Sequence, residues 1–195
     1  MTASLAAPLI AFAQGDVALV DLVSGDVTYG PNRAKVSAFM KVREGDRFNV
    51  ARGGQVRLLY FNSAQQEHFA GPAAFTAGRE SSAQQSGSKP RVSKVPSGVP
   101  QRIARIPELL QNAKLGGVQI RSKPPAKADD ALREARALYQ QMRKERRKDD
   151  ITPELFLYST LSDYHRYDEM RPVVEEMLRR QPNNEEVKAL AASVK

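Results

Sequence analysis

The chain reads as an α+β protein, with an N-terminal all-β sandwich or small barrel followed by a C-terminal α-helical segment. Three observations predict this. Between Val17 and Ala77, short apolar and β-branched runs are broken every ~8–12 residues by turns carrying Gly, Asn or Pro, the pattern of successive strands. From Asp130 onward the apolar residues recur at helical spacing instead. Between these halves, residues 79–99 are polar and rich in Ser, Gly and Pro, and read as a linker or mobile surface loop.

Taken in order, Val17 to Val23 is a β-branched run ended by Ser24-Gly25-Asp26, and Val27 to Tyr29 starts a second strand. Ala34, Val36, Ala38, Met40 and Val42 alternate with Lys35, Ser37, Phe39 and Lys41, which predicts one continuous strand with a single buried face. Glu44-Gly45-Asp46 and Gly53-Gly54 bracket a strand over Arg47–Val50, and Gln55–Phe61 follows. Strands over residues 66–70 and 73–77 flank Gly71-Pro72, giving a β domain over 16–78. Residues 100–121 are expected to hold a short helix bent at Pro107 and one more strand, 118–121, joining the sheet. Residues 122–129 form a stiff connector.

In the region 130–195, Leu132, Ala135, Leu138, Tyr139 and Met142 share a helical face, with Asp129 and Asp130 at the start and the basic run Arg143–Lys148 at the end, as the helix dipole favours. Thr152 is expected to cap a second helix with Pro153 in its first turn, and Asp168 a third. Gln181-Pro182 stops that helix, and a short terminal one follows.

Composition bounds the chemistry. The 195 residues are 41% apolar and contain no Trp, so the core is built mostly of Val, Leu, Ile and Ala. Without Cys there are no disulfides, no thiol catalysis and no cysteine-based zinc site. The net charge of +8 is spread over both halves: 13 Lys/Arg stand against 8 Asp/Glu in residues 1–110, and 17 against 14 in the rest. Such a surface suits an acidic partner, anionic lipid or nucleic acid. Residues 1–13 are uncharged and end in Ala11-Phe12-Ala13, a signal-peptidase pattern without the usual basic start. This predicts export, and the run is too short to span a membrane.

Two stretches carry resemblances. Val23-Ser-Gly25-Asp-Val27, Val42-Arg-Glu-Gly45-Asp46-Arg-Phe48, Gly54-Gln-Val56-Arg-Leu58 and His68-Phe-Ala-Gly71-Pro72 together resemble a FecR-type domain over residues 16–77. Asn62-Ser-Ala-Gln-Gln66 stands where that family often has an Asp-Gly hairpin. The resemblance implies a β-rich domain facing the bacterial periplasm that senses or binds and does not catalyse. The family's sigma-regulator role also requires a membrane span and a cytoplasmic segment, which the sequence does not display, so that role is not carried over. Residues 151–182 are similar to one tetratricopeptide repeat, with Tyr167-Asp-Glu-Met170, Val174, Met177 and Pro182 in its places, and with Tyr158 where a small residue is usual.

No catalytic, metal-binding or cofactor-binding set is predicted. His68 and His165 lie in different halves and read as solitary histidines, and the paired glycines lack a phosphate-loop partner. The expected binding surface is the concave side of the helical hairpin, with Tyr158, Tyr164, Tyr167 and Arg171 as contacts. Arg146, Arg147 and Lys148 would steer an acidic partner. The function these readings point to is a non-enzymatic periplasmic binding or scaffolding protein of the cell envelope, with a protein or envelope component as partner. The alternative is a cytosolic basic protein that binds RNA through its C-terminal helices.

Overall fold

A computed structural model describes residues 15–115 and 128–193. The leader 1–13, the strand expected over 118–121 and residues 122–127 of the connector lie outside the described residues. The strands are β1 (Asp16–Ser24), β2 (Val27–Tyr29), β3 (Ala34–Lys35), β4 (Lys41–Arg43), β5 (Arg47–Val50), β6 (Gln55–Tyr60), β7 (Gln65–Ala70), β8 (Ala73–Ala77), β9 (Ser82–Gly87) and β10 (Arg91–Lys94). They form two antiparallel five-stranded sheets, ordered β10-β7-β6-β1-β4 and β3-β2-β5-β8-β9. The helices are α1 (Val99–Ile103), α2 (Ile106–Lys114), α3 (Ala128–Glu145), α4 (Thr152–Asp163), α5 (Met170–Arg180) and α6 (Glu185–Ser193), with a 3-10 turn at Tyr167–Glu169. The predicted α+β class holds.

The two sheets close on one apolar core. Val20, Val56, Leu58 and Phe69 of the first sheet meet Val27, Phe48, Val50 and Phe75 of the second. Phe69 and Phe75 stack across the sandwich at 3.8 Å between ring centroids, and Phe48 stacks on Phe75 at 5.0 Å. With no Trp available, these three rings supply the bulk that the aliphatic residues cannot. Gly71 sits where the chain crosses between sheets. A Cβ there would lie 1.8 Å from the Ala51 carbonyl oxygen, so only glycine permits this approach.

The strand expected from Ala34 to Val42 is divided. β3 belongs to one sheet and β4 to the other, and residues 36–40 carry the chain between them. Phe39 takes φ = 61° there, while its N–H donates to the Val20 carbonyl at 2.7 Å and Val20 N–H donates to the Met40 carbonyl at 3.0 Å. The left-handed residue breaks the alternation. Val36 and Val42 face the sandwich core, but Ala38 and Phe39 face the helices.

Residues 79–99 are not a linker. β9 pairs with β8, and β10 pairs with β7, so each becomes an edge strand of a different sheet. Every residue of β10 is exposed, and β9 is nearly so. Strands held by backbone ladders with no buried face leave no hydrophobic period to read.

The two halves are also not separate bodies. Leu19 and Leu59, on the far face of the first sheet, share one core with Ile103, Ile106, Leu132, Leu155, Val174 and Leu190 of the helices. The molecule therefore has three layers: sheet, sheet and helices. The central element of the third layer is α4, in which every residue from Thr152 to Leu161 is buried. A helix covered on all sides carries no single apolar stripe. Its inward polar groups find partners: Ser159 Oγ donates to the Arg102 carbonyl at 2.7 Å and Thr160 Oγ1 to the Phe156 carbonyl at 2.8 Å.

Helix ends differ in detail from expectation. The break between α1 and α2 falls at residues 104–105, with Pro107 in the first turn of α2. Thr152 does not cap α4: it is the first residue of the helix, Ile151 holds the cap position without a side-chain cap, and Asp150 Oδ1 accepts the Thr152 N–H at 2.9 Å. Asp168 makes no cap, since the chain enters α5 through the 3-10 turn. Asn184 caps α6 by accepting from the N–H groups of Glu186 and Val187. The helix expected from Asp130 starts at Ala128, which takes the last two connector residues.

Because Phe75 sits at the centre of the aromatic stack and is fully buried, Phe75→Ala lowers the unfolding free energy by about 3–5 kcal/mol, the usual loss for a large core ring. Urea denaturation followed by circular dichroism measures it. A loss under about 1 kcal/mol, the scale of a tolerated core change, would mean the two sheets do not close on this ring.

Candidate functional site

The helix-facing side of the first sheet is apolar at Leu19 and Leu59 but ionic beside them. In β1 the register with β6 shifts between Val20 and Leu22, leaving Asp21 as the extra residue of a bulge. Its carboxylate is fully buried and accepts three hydrogen bonds: from Arg57 Nε at 2.7 Å, Gln66 Nε2 at 2.6 Å and Thr152 Oγ1 at 3.1 Å. Arg57, only 3% exposed, also places Nη2 3.2 Å from Asp150 Oδ1. One guanidinium thus joins β1, β6 and the N-terminus of α4. Arg146, at the end of α3, completes the joint. It donates to Gln66 Oε1 at 2.9 Å, to Ser93 Oγ at 3.1 Å and to the Lys94 carbonyl. Burial pushes the Asp21 carboxyl above the ordinary aspartate range, and the Arg57 charge opposes that rise.

This joint is the inner wall of a cleft of about 310 Å³ between β7, β10 and the α3–α4 turn. The register places Arg57 directly opposite His68, and His68 directly opposite Arg91, so the three form one row across the sheet. Arg146 and Arg147 enter from the α3–α4 turn, while Glu145 and Asp150 are the acids on the cleft wall. His68 Nε2 lies 3.1 Å from Gln55 Oε1. Partial burial, followed by the charges of Arg57 and Arg147, holds the His68 imidazole below its ordinary value. Arg57 Nη2 is buried and has no aligned hydrogen bond, despite its ion pair with Asp150. The arrangement offers donors and positive charge from two sides to a group that accepts hydrogen bonds.

The predicted binding residues do not come together. Tyr158 is 3% exposed and lies within the helical core, where burial pushes its phenol up to about 12. Tyr164 ends α4 and lies under Arg102, whose guanidinium carbon is 5.9 Å from the ring centroid. Tyr167 stacks on His165 at 5.9 Å. Arg171 is on the surface of α5, 3.8 Å from Glu175. A groove of about 370 Å³ does run among α3, α4 and α5, but Tyr139, Leu157 and Leu161 line it and none of the predicted tyrosines does. Of the basic run, Arg143 is drawn inward to the buried Glu154 at 2.8 Å, and Arg146 belongs to the joint. Arg147 reaches the cleft, with Asp149 at 3.0 Å, and the Lys148 carbonyl accepts from Arg180 Nη1. Arg57, His68 and Arg91 were not among the predicted residues. The available signal was a charge inside each of two apolar strands, Asp21 and Arg57.

A second cleft, of about 610 Å³, separates the β1–β2 turn from the α5–α6 turn. Lys35 and Arg180 there face Asp149, Glu185 and Glu186, two cations against three acids, so it does not select an anion. Among the described residues, no three His, Asp or Glu side chains converge to hold a metal ion, and no helix is long and apolar enough to cross a membrane.

Removing one partner of a buried ion pair strands the other charge. Arg57→Met is therefore expected to lower the unfolding free energy by about 3–5 kcal/mol. Arg57→Met combined with Asp21→Leu should lose less than the two single variants together, as read from urea midpoints in a double-mutant cycle. Strictly additive losses would show that the two side chains are not coupled.

No protein-family model matches this chain, and neither a curated protein nor a solved structure matches it significantly.

Proposed function

We propose that the protein is a non-enzymatic binding or scaffolding protein of the bacterial cell envelope, and that it takes an anionic envelope component or an acidic protein at the cleft between β7, β10 and the α3–α4 turn. The observation that carries this reading is the convergence of Arg57, His68, Arg91, Arg146 and Arg147 on one concave surface. The roles of the buried and half-buried acids support a binding role over catalysis. Asp21 is held by Arg57, Glu154 by Arg143 and Arg180, and Asp163 by Arg102 and Arg105. Each ties one element to another. The FecR-like pattern over residues 16–77 and the Ala11-Phe12-Ala13 cleavage pattern support a periplasmic location. In this reading the tetratricopeptide-like helices are scaffold. Their apolar surfaces pack on the first sheet and on each other, and α3 delivers Arg146 and Arg147 to the cleft.

Isolated Gram-negative envelopes provide the test. The protein should co-sediment with them at low salt and progressively less as salt rises, because exposed charges are screened. Replacing the exposed Arg91 and Arg147 together by Ser should abolish most of the binding. N-terminal sequencing of the protein recovered from the periplasmic fraction should start at Gln14. A protein that ignores envelopes at every salt concentration, but binds single-stranded RNA with a steep salt slope, would replace this reading with the RNA-binding one.

A further inference from the structure

We infer that the basic cleft is a receptor for a phosphoryl group, a tetrahedral oxyanion on a small ester or a lipid headgroup. This rests on the binding role proposed above and names the ligand chemistry of the same site. The first argument is the placement of charge. Arg57, His68 and Arg91 occupy successive positions of one cross-strand row. Asp21 and Asp150 balance Arg57 from behind, whereas Arg91 has no ion-pair partner among the described residues. An anion seated beside Arg91 would meet a cation that the described residues leave unmatched, next to an imidazole that can take up a proton.

The second argument is the donor set. Arg57 lines the cleft, but its Nη2 is buried against Asp150 at 3.2 Å, so the cations open to a ligand are Arg91 and Arg147 at the rim. A charged acceptor is the best partner for such groups. Arg91 comes from the edge strand and Arg147 from the α3–α4 turn, with Arg57 and His68 at the base. Donors and positive charge from these separate directions suit an acceptor with several oxygens spread around one centre. A planar carboxylate is satisfied by a single fork. At about 310 Å³ the cleft admits such a group with a small substituent.

His68 reports occupancy. The charged groups acting on it are Arg57 on β6, Arg91 on β10, and Arg147 and Asp149 on the α3–α4 turn, with Lys94, Glu145, Arg146 and Asp150 on the same cleft wall; partial burial adds to the arginines in disfavouring its protonated form. An anion bound among them would offset the arginines, raise the imidazole's pKa and draw a proton onto the ring, so the His68 titration midpoint and not the affinity is the readout, because a phosphate monoester itself passes from dianion to monoanion near a pH of about 6.

The experiment titrates the full chain at low salt with inorganic phosphate, glycerol 3-phosphate and acetate, following the His68 ring by NMR. Saturable shifts with both phosphates, a raised His68 pKa in their presence and at least about tenfold weaker acetate binding are expected. One charge-assisted hydrogen bond is worth that factor. Arg91→Ser should weaken phosphate binding about tenfold or more on the same grounds, and circular dichroism checks that this exposed substitution leaves the fold intact. Co-sedimentation with phosphatidic acid vesicles, against phosphatidylcholine vesicles, assigns the group to a lipid headgroup. Binding of glycerol 3-phosphate without co-sedimentation assigns it to a soluble ester. Acetate binding as tightly as phosphate, or shifts that do not saturate, would overturn the inference. If envelopes still co-sediment in that case, the binding role survives and only the ligand chemistry is wrong.

Discussion

Arg57 ties the helical layer to the first sheet. Its guanidinium meets Asp21 on a β1 bulge and Asp150 at the start of α4. Gln66 and Thr152 fill the remaining acceptor positions of Asp21. A buried pair seldom stabilises more than well-packed apolar residues of the same size, but leaving any member of it alone is costly. Such a joint therefore acts mainly as a constraint on geometry. A rotation or slide of the helical layer on the sheet would part Thr152 and Asp150 from β1 and β6 and strand at least two charges. The neighbouring Leu19 and Leu59 contacts are non-directional and would tolerate the slide. We attribute the register of helices on sheet to the polar groups, and the bulk of the attraction to the apolar ones.

The same constraint shapes the cleft. Asp150 does two jobs, accepting the N–H of Thr152, the first residue of α4, and pairing with Arg57, so the position of the helix start is tied to the sheet. Arg146 spans from α3 to β7 and β10 and pins the exposed edge strand, which has no buried side chain of its own. The cleft wall is thus set by groups that are themselves locked, which is what a binding surface needs in order to pay little ordering entropy on ligand capture. Its cations divide by role. Arg57 and Arg146 are structural and partly neutralised, whereas Arg91 and Arg147 stand at the rim, where their charge can be changed without disturbing the joint.

What the sequence by itself determined follows from short-range physics. Alternation and turn residues located the sandwich strands from β5 to β8, and helical spacing located α3 to α6, because side-chain period depends only on local backbone geometry. Pro153 marked a helix start for the same reason. The polar composition of residues 79–99 concealed two strands, since an edge strand exposed on both faces owes its existence to a neighbour's backbone and not to its own side chains. The alternation over residues 34–42 read as one strand because nothing local announces that a chain will change sheets at Phe39. The candidate site was legible only in part. Arg146 and Arg147 were visible as a basic run, but Arg57, His68 and Arg91 lie on three strands and become a row only through the pairing register. Tyr158 looked like a surface anchor on a helix expected to have an open face, and became core when α1, α3, α5 and the first sheet closed around α4. Which charges are buried, which are paired and which face a common cleft depends on contacts between residues tens of positions apart, and the tertiary structure alone decides those.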